Sequence, residues 1–92
     1  MEIGRVIGSV WATKKDEKLN GQKLLVLKLL LDNEKEKEDL IVASDIVGAG
    51  VGDLVLISRG GAARLATGNP LAPVDVAIVG IIDKVEVTED EP

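Results

Sequence analysis

The chain contains no cysteine, histidine, tyrosine or phenylalanine, and Trp11 is its one aromatic residue. Without cysteine there is no disulfide framework. Without cysteine and histidine, zinc, haem and iron–sulfur sites lose their usual ligands, and Cys- or His-based nucleophilic catalysis loses its usual residues. A single tryptophan cannot build the stacking platform on which single-strand nucleic-acid binders lay successive bases. No apolar run approaches the ~20 residues of a membrane-spanning helix. The opening Met1-Glu2-Ile3-Gly4-Arg5 lacks the charged and apolar regions of a signal peptide, so the cytoplasm is the expected location.

What is present fits a small packed domain. The chain has 92 residues and a mass of 9.7 kDa, too little for two cores. Hydrophobic residues make up 46% of it, more than a disordered chain carries. Lysine plus arginine number 11 against 16 aspartate plus glutamate, a net charge of −5. An acidic chain repels phosphate backbones, which disfavours nucleic acid as a partner.

The pattern predicts five strands. The first runs from Glu2 to Thr13, with Val6, Val10 and Ala12 on one face. Gly4 and Gly8 interrupt its alternation and mark bends or close backbone approach. Lys14–Lys18 reads as a solvated loop, and Asn20-Gly21 as a turn. Gln22–Asp32 is rich in leucine, which favours a helix by propensity alone. Leu25, Leu27, Leu29 and Leu31 nevertheless keep a period of two, and the neighbouring turn and Leu40-Ile41-Val42-Ala43 fit a hairpin, so a strand is expected. Asn33–Asp39 reads as an exposed charged connection, Asp39–Ser44 as the third strand and Asp53–Ser58 as the fourth. One short helical turn is expected within Arg59–Gly68, and Val74–Val87 is a β-branched fifth strand. A single domain over residues 1–87 would leave 88–92 as an acidic tail. The fold class expected is all-β, a small closed or partly open five-stranded barrel whose closure hides strand edges.

Three constellations could carry chemistry. Val47-Gly48-Ala49-Gly50-Val51-Gly52 is glycine-rich, but its G-x-G-x-G spacing leads into a strand, not a helix, and no Gly-Lys-Ser/Thr follows. Phosphate cradles need the other arrangement, so a tight turn or a close approach of another backbone is the better reading. At Gly50, a β-branched replacement should block a positive φ or close packing. Arg64 follows the small residues Gly60-Gly61-Ala62-Ala63 and could pair with Asp45, Asp53, Asp75 or Asp83. Those aspartates sit at strand ends, where turn residues belong, and form no D-x-D-x-D calcium spacing. Neither a metal nor a cofactor is expected. Trp11 fits either the core or a half-buried place at an interface, where tryptophan is enriched, and ordinary packing is the favoured reading.

The order of these features resembles the EutN/CcmL family of bacterial microcompartment vertex proteins. The resemblance is carried by Ile3-Gly4-Arg5-Val6-Ile7-Gly8, Ala12-Thr13-Lys14, Leu19–Leu25, Ser44–Asp53, Gly60–Arg64 and Pro73–Asp83. Asp53 stands where the family usually has glutamate, and Gly61-Ala62 where small hydroxyl residues are common. The resemblance implies an OB-like barrel forming a homopentamer that fills the fivefold vertices of a polyhedral shell. It also implies hexameric shell proteins as neighbours and no catalytic activity. Asp45, Val47, Gly48, Ala49, Gly50, Gly52 and Arg64 are the expected subunit-interface positions. The competing readings are an OB-like ligand-binding module and a small enzyme using paired aspartates.

Overall fold

A computed structural model describes residues 1–11, 17–19, 21–30, 36–68 and 73–83. Five strands, β1 (Glu2–Ser9), β2 (Lys23–Leu30), β3 (Glu36–Asp45), β4 (Leu54–Arg59) and β5 (Val76–Ile81), close into a barrel in the order β1-β2-β3-β5-β4. One helix, α1 (Gly60–Ala66), follows β4 directly. All pairings are antiparallel except β3 with β5, which meet in parallel at Ser44↔Ala77 and Asp45↔Ile78.

The leucine-rich segment is a strand. Leu25, Leu27 and Leu29 point inward and are buried, while Leu24, Val26, Lys28 and Leu30 alternate outward. Burial of one alternating face outweighs a helix propensity of tenths of a kcal/mol per residue. With Val6, Ala43, Val55, Ile57, Val76 and Ile78, these leucines form a core without an aromatic ring. Gly4 lets β1 close on its neighbours. A Cβ there would stand 2.8 Å from Ile57 Cδ1 and 3.1 Å from the Lys28 carbonyl oxygen. At Gly8 the β1–β2 register shifts, the bend that the glycine spacing predicts.

Several boundaries differ from expectation. β1 ends at Ser9, although the Val10 N–H still donates to the Leu24 carbonyl. β3 begins at Glu36, inside the stretch expected to be loop, because pairing of Leu30 with Glu36 extends the β2–β3 ribbon. Residues 14–16 and 33–35 lie outside the described ones, whereas Glu17–Leu19 forms a short 3-10 turn. Gly21 adopts φ +84°, and the Gln22 N–H closes on the Leu19 carbonyl, as a turn requires. The helix is seven residues long, more than the single turn expected. β5 stops at Ile81, and residues 84–92, with the predicted tail, lie outside the described residues.

Candidate subunit interface

The loop between β3 and β4 is built on two carboxylates. Asp45, at the end of β3, accepts from the Val47 N–H at 3.1 Å and the Ala49 N–H at 3.0 Å. Its side chain is 1% exposed, and Lys23 Nζ lies 3.6 Å away while also donating to the Ala49 carbonyl. Asp53 accepts from the Gly50 N–H at 2.9 Å, and its own N–H returns to the Gly50 carbonyl. The loop is then tied to β1. Gly52 N–H donates to the Val6 carbonyl, Val6 N–H to the Asp53 carbonyl, and Arg5 Nη1 to the Gly52 carbonyl.

This arrangement answers the phosphate question. A loop cradles an anion with unpaired backbone N–H groups. Here the N–H groups of Val47, Ala49 and Gly50 already serve the protein's own carboxylates, so the cradle is filled from within. The same bonds occupy Asp45 and Asp53 structurally. Among the described residues, no cluster of three carboxylate, His or Cys side chains is placed to hold a metal ion.

The expected interface residues separate into two groups. Ala49 is 1% exposed and belongs to the barrel core, and Asp45 is buried beneath the loop. These two shape the loop rather than lie on its surface. Val47, Gly48, Gly50 and Gly52 are exposed, with Ile46 and Val51 beside them. Gly48 and Gly52 hold φ of +81° and +95°, which disfavour any side chain. Gly50 does not. Its φ is outside the positive region, and a Cβ would have only Asp53 Oδ2 near it, at 4.0 Å. Of the two reasons expected for a glycine at 50, the positive φ is absent and close packing has no counterpart within one protomer.

Arg64 lies on α1, half-buried, with Nη2 near Gly61. No carboxylate among the described residues pairs with its guanidinium, contrary to expectation. Arg59 pairs with Glu2, which holds the end of β4 to the start of β1. The Glu2 hydrogen bond raises the Arg59 guanidinium above its usual range. α1 buries only Ala63 and leaves Leu65 71% exposed.

Trp11 contradicts its expected packing role. It is 92% exposed, because β1 ends two residues before it and no described residue covers it. Its exposure, like that of Val51 and Leu65, is a signal that sequence reasoning missed. Only the three-dimensional arrangement separates an apolar residue in the core from one just past it.

A groove of about 210 Å³ lies between β2, β3 and the approach to β5, lined by Leu19, Leu24, Val42, Pro73, Val74 and Val76 with Ser44 and Asp75. It falls short of the ~300–1,000 Å³ of ordinary ligand sites. No helix among the described residues is long and apolar enough to cross a membrane.

Residues 1–83 match the family described as ethanolamine utilisation protein EutN/carboxysome. The chain belongs to this family. Membership spans the whole barrel, including the loop and α1. Among its relatives, the bacterial microcompartment shell vertex protein GrpN of Rhodospirillum rubrum is 44% identical over 86 residues, 94% of this chain and 97% of that one. The carboxysome shell vertex protein CcmL of Nostoc sp. is 47% identical over 90 residues, covering 97% and 89%. The solved structure of CcmL from Gloeobacter violaceus superposes with a TM-score of 0.89 at 44% identity, over 95% of this chain and 90% of that one. GrpN, solved as a pentameric microcompartment shell protein, superposes with a TM-score of 0.86 at 41% identity, covering 96% and 100%.

Proposed function

We propose that this family member is a structural shell protein, forming a homopentamer that closes the vertices of a bacterial microcompartment in the cytoplasm. The observation that carries this reading is family membership over the entire barrel with a pentameric relative of similar length and the same fold. The role is geometric. A flat sheet of hexagonal units cannot close, and fivefold units introduce the curvature that lets it. Hexameric shell proteins are then the neighbours along the ring's sides. No chemistry on a substrate is required of the chain, and its loop carboxylates are held by backbone N–H groups.

The protomer has the layout that such a ring needs. A fivefold ring is heterologous, so two different patches of each subunit must meet. The loop precedes β4 and α1 follows it, so the six residues of β4 hold the two patches roughly 20 Å apart. Val47, Gly50 and Val51 in the loop and Gly61, Arg64 and Leu65 on α1 form complementary candidates, small or apolar apart from Arg64, and exposed or half-buried. At −5 per chain the ring carries −25, which limits stacking of rings on each other.

Native mass spectrometry tests the ring directly. Five chains of 9.7 kDa give a species near 48.5 kDa. A Cβ at position 50 has only Asp53 Oδ2 near it, at 4.0 Å, so Gly50→Val should leave the monomer folded and abolish the five-chain species. An unchanged ring would remove Gly50 from the interface. Shell assembly with and without the protein tests the vertex role, which fails if shells close and retain cargo equally well without it.

A further inference from the structure

We infer that Trp11 anchors the ring, its indole packed against Arg64 and Leu65 of the next copy of the chain. The inference rests on the ring proposed above and adds a specific contact to it. An exposed indole leaves ~150–250 Å² of mostly apolar surface in water. Trp11 is 92% exposed and is the chain's one aromatic residue.

Its position says which end of the protomer it serves. The Val10 N–H donates to the Leu24 carbonyl, which places Trp11 beside the start of β2. Lys23, at that start, reaches Asp45 and the Ala49 carbonyl. Trp11 therefore lies on the side of the barrel where β2 starts and the chain leaves β3 for the loop. Leu65, 71% exposed, and Arg64 lie beyond the far end of β4. The two groups stand on different parts of the fold, each at least partly exposed in its own protomer, and a heterologous ring is the arrangement that brings two different patches of neighbouring copies together.

The chemistry of the two patches matches. A guanidinium over an indole face is attracted by the ring's quadrupole, and the attraction grows as water is excluded. Arg64 is available for this because no carboxylate among the described residues holds it. Leu65 supplies apolar cover for the edge of the same ring. Tryptophan and arginine are also the residues that most often dominate interface energy.

Because the chain has one tryptophan, its fluorescence reports Trp11 alone. The measurement is made on a sample whose native mass is that of five chains. The expected result is emission shifted to the blue of the unfolded chain, with acrylamide quenching several-fold weaker. A five-chain ring whose Trp11 emits and quenches as in the unfolded chain overturns this contact while leaving the ring standing. Absence of a five-chain ring overturns the ring reading and the contact with it. The wild-type measurement needs no variant to fold. A cycle of Trp11→Ala and Arg64→Ala then reads the coupling through ring dissociation. Each single change should weaken the ring, and the double change should weaken it less than their product by roughly two- to thirty-fold. Independent effects overturn the pairing.

Discussion

The loop before β4 and the helix after it are opposite kinds of structure. In the loop, two carboxylates, one lysine and the edge of β1 take up backbone groups, and Ala49 is sunk into the core. In α1, the N-cap residue Arg59 makes no side-chain capping bond, one residue is buried, Arg64 is half-buried and Leu65 is exposed. The loop is finished by its own protomer, so it presents a fixed shape before any partner arrives. The helix is finished only in part. An assembly subunit benefits from this division, because one rigid patch lowers the ordering cost of binding while the other supplies the side chains that bind.

The change expected to break the loop most severely is Asp45→Ala. It leaves the Val47 and Ala49 N–H groups without their acceptor, the latter in a buried position, and removes the Lys23 partner. Hydrogen bonds to an ionised group are each worth about 1.5–3 kcal/mol. Loss of about 2–4 kcal/mol is expected in urea unfolding of the protomer, measured across protein concentrations so that assembly is separated from folding. A midpoint unchanged from wild type would mean that the loop is held by its backbone bonds to β1 alone.

The two kinds of glycine sharpen the comparison at smaller amplitude. Gly48→Ala forces a side chain onto φ +81° and should cost about 1–2 kcal/mol. Gly50→Ala meets neither strain nor collision and should leave protomer stability within about 0.5 kcal/mol. Equal costs at the two positions would overturn the assignment of Gly48 to conformation and Gly50 to assembly.

How much of this was legible in the sequence follows from which forces are local. The leucine strand was readable because alternate burial writes a period of two into the chain, even against helix propensity. The closed five-stranded barrel followed from strand count, and Gly4 and Gly8 marked the close approach and the bulge. The extension of β3 to Glu36 was not readable, because alternating charge fits a solvated ribbon as well as a loop. Nor was the split among the loop residues. Val47-Gly48-Ala49-Gly50 looks uniform as sequence, yet Asp45 draws Ala49 inward and leaves its neighbours outside. Arg64 was a candidate for pairing with an aspartate, whereas Arg59 pairs with Glu2, which depends on where Glu2 lands across the barrel.

That pair gives a weaker prediction. Glu2 and Arg59 tie β1 to the last residue before α1, and both side chains are well exposed. Glu2→Gln should cost about 0.2–1 kcal/mol at low salt, and the difference should vanish near 1 M salt. The Arg59 guanidinium is raised by Glu2, so its contribution is present below its unfolded pKa and is lost only as pH rises through the higher folded one. Arg59 titration therefore adds no pH dependence near neutrality. A deficit in Glu2→Gln that persists at high salt would identify packing, not charge, as the source.

The smallest effect on the protomer and the most telling for the comparison is expected at Leu65. At 71% exposure its side chain contributes little to the fold of one chain, so Leu65→Lys should move the unfolding midpoint of the isolated protomer by under about 0.5 kcal/mol. If α1 is the unfinished patch, the same change places a charge where an apolar side chain should be covered, and the five-chain species should weaken at least about tenfold, the equivalent of about 1.4 kcal/mol. Asp45→Ala and Leu65→Lys thus act on different equilibria. The first should lower protomer stability, and the second should lower only assembly. Measured together by denaturation and native mass, they separate folding from ring formation. A Leu65→Lys ring of undiminished stability would mean that α1 faces solvent in the assembly, and that the patch meeting the loop lies elsewhere on the barrel.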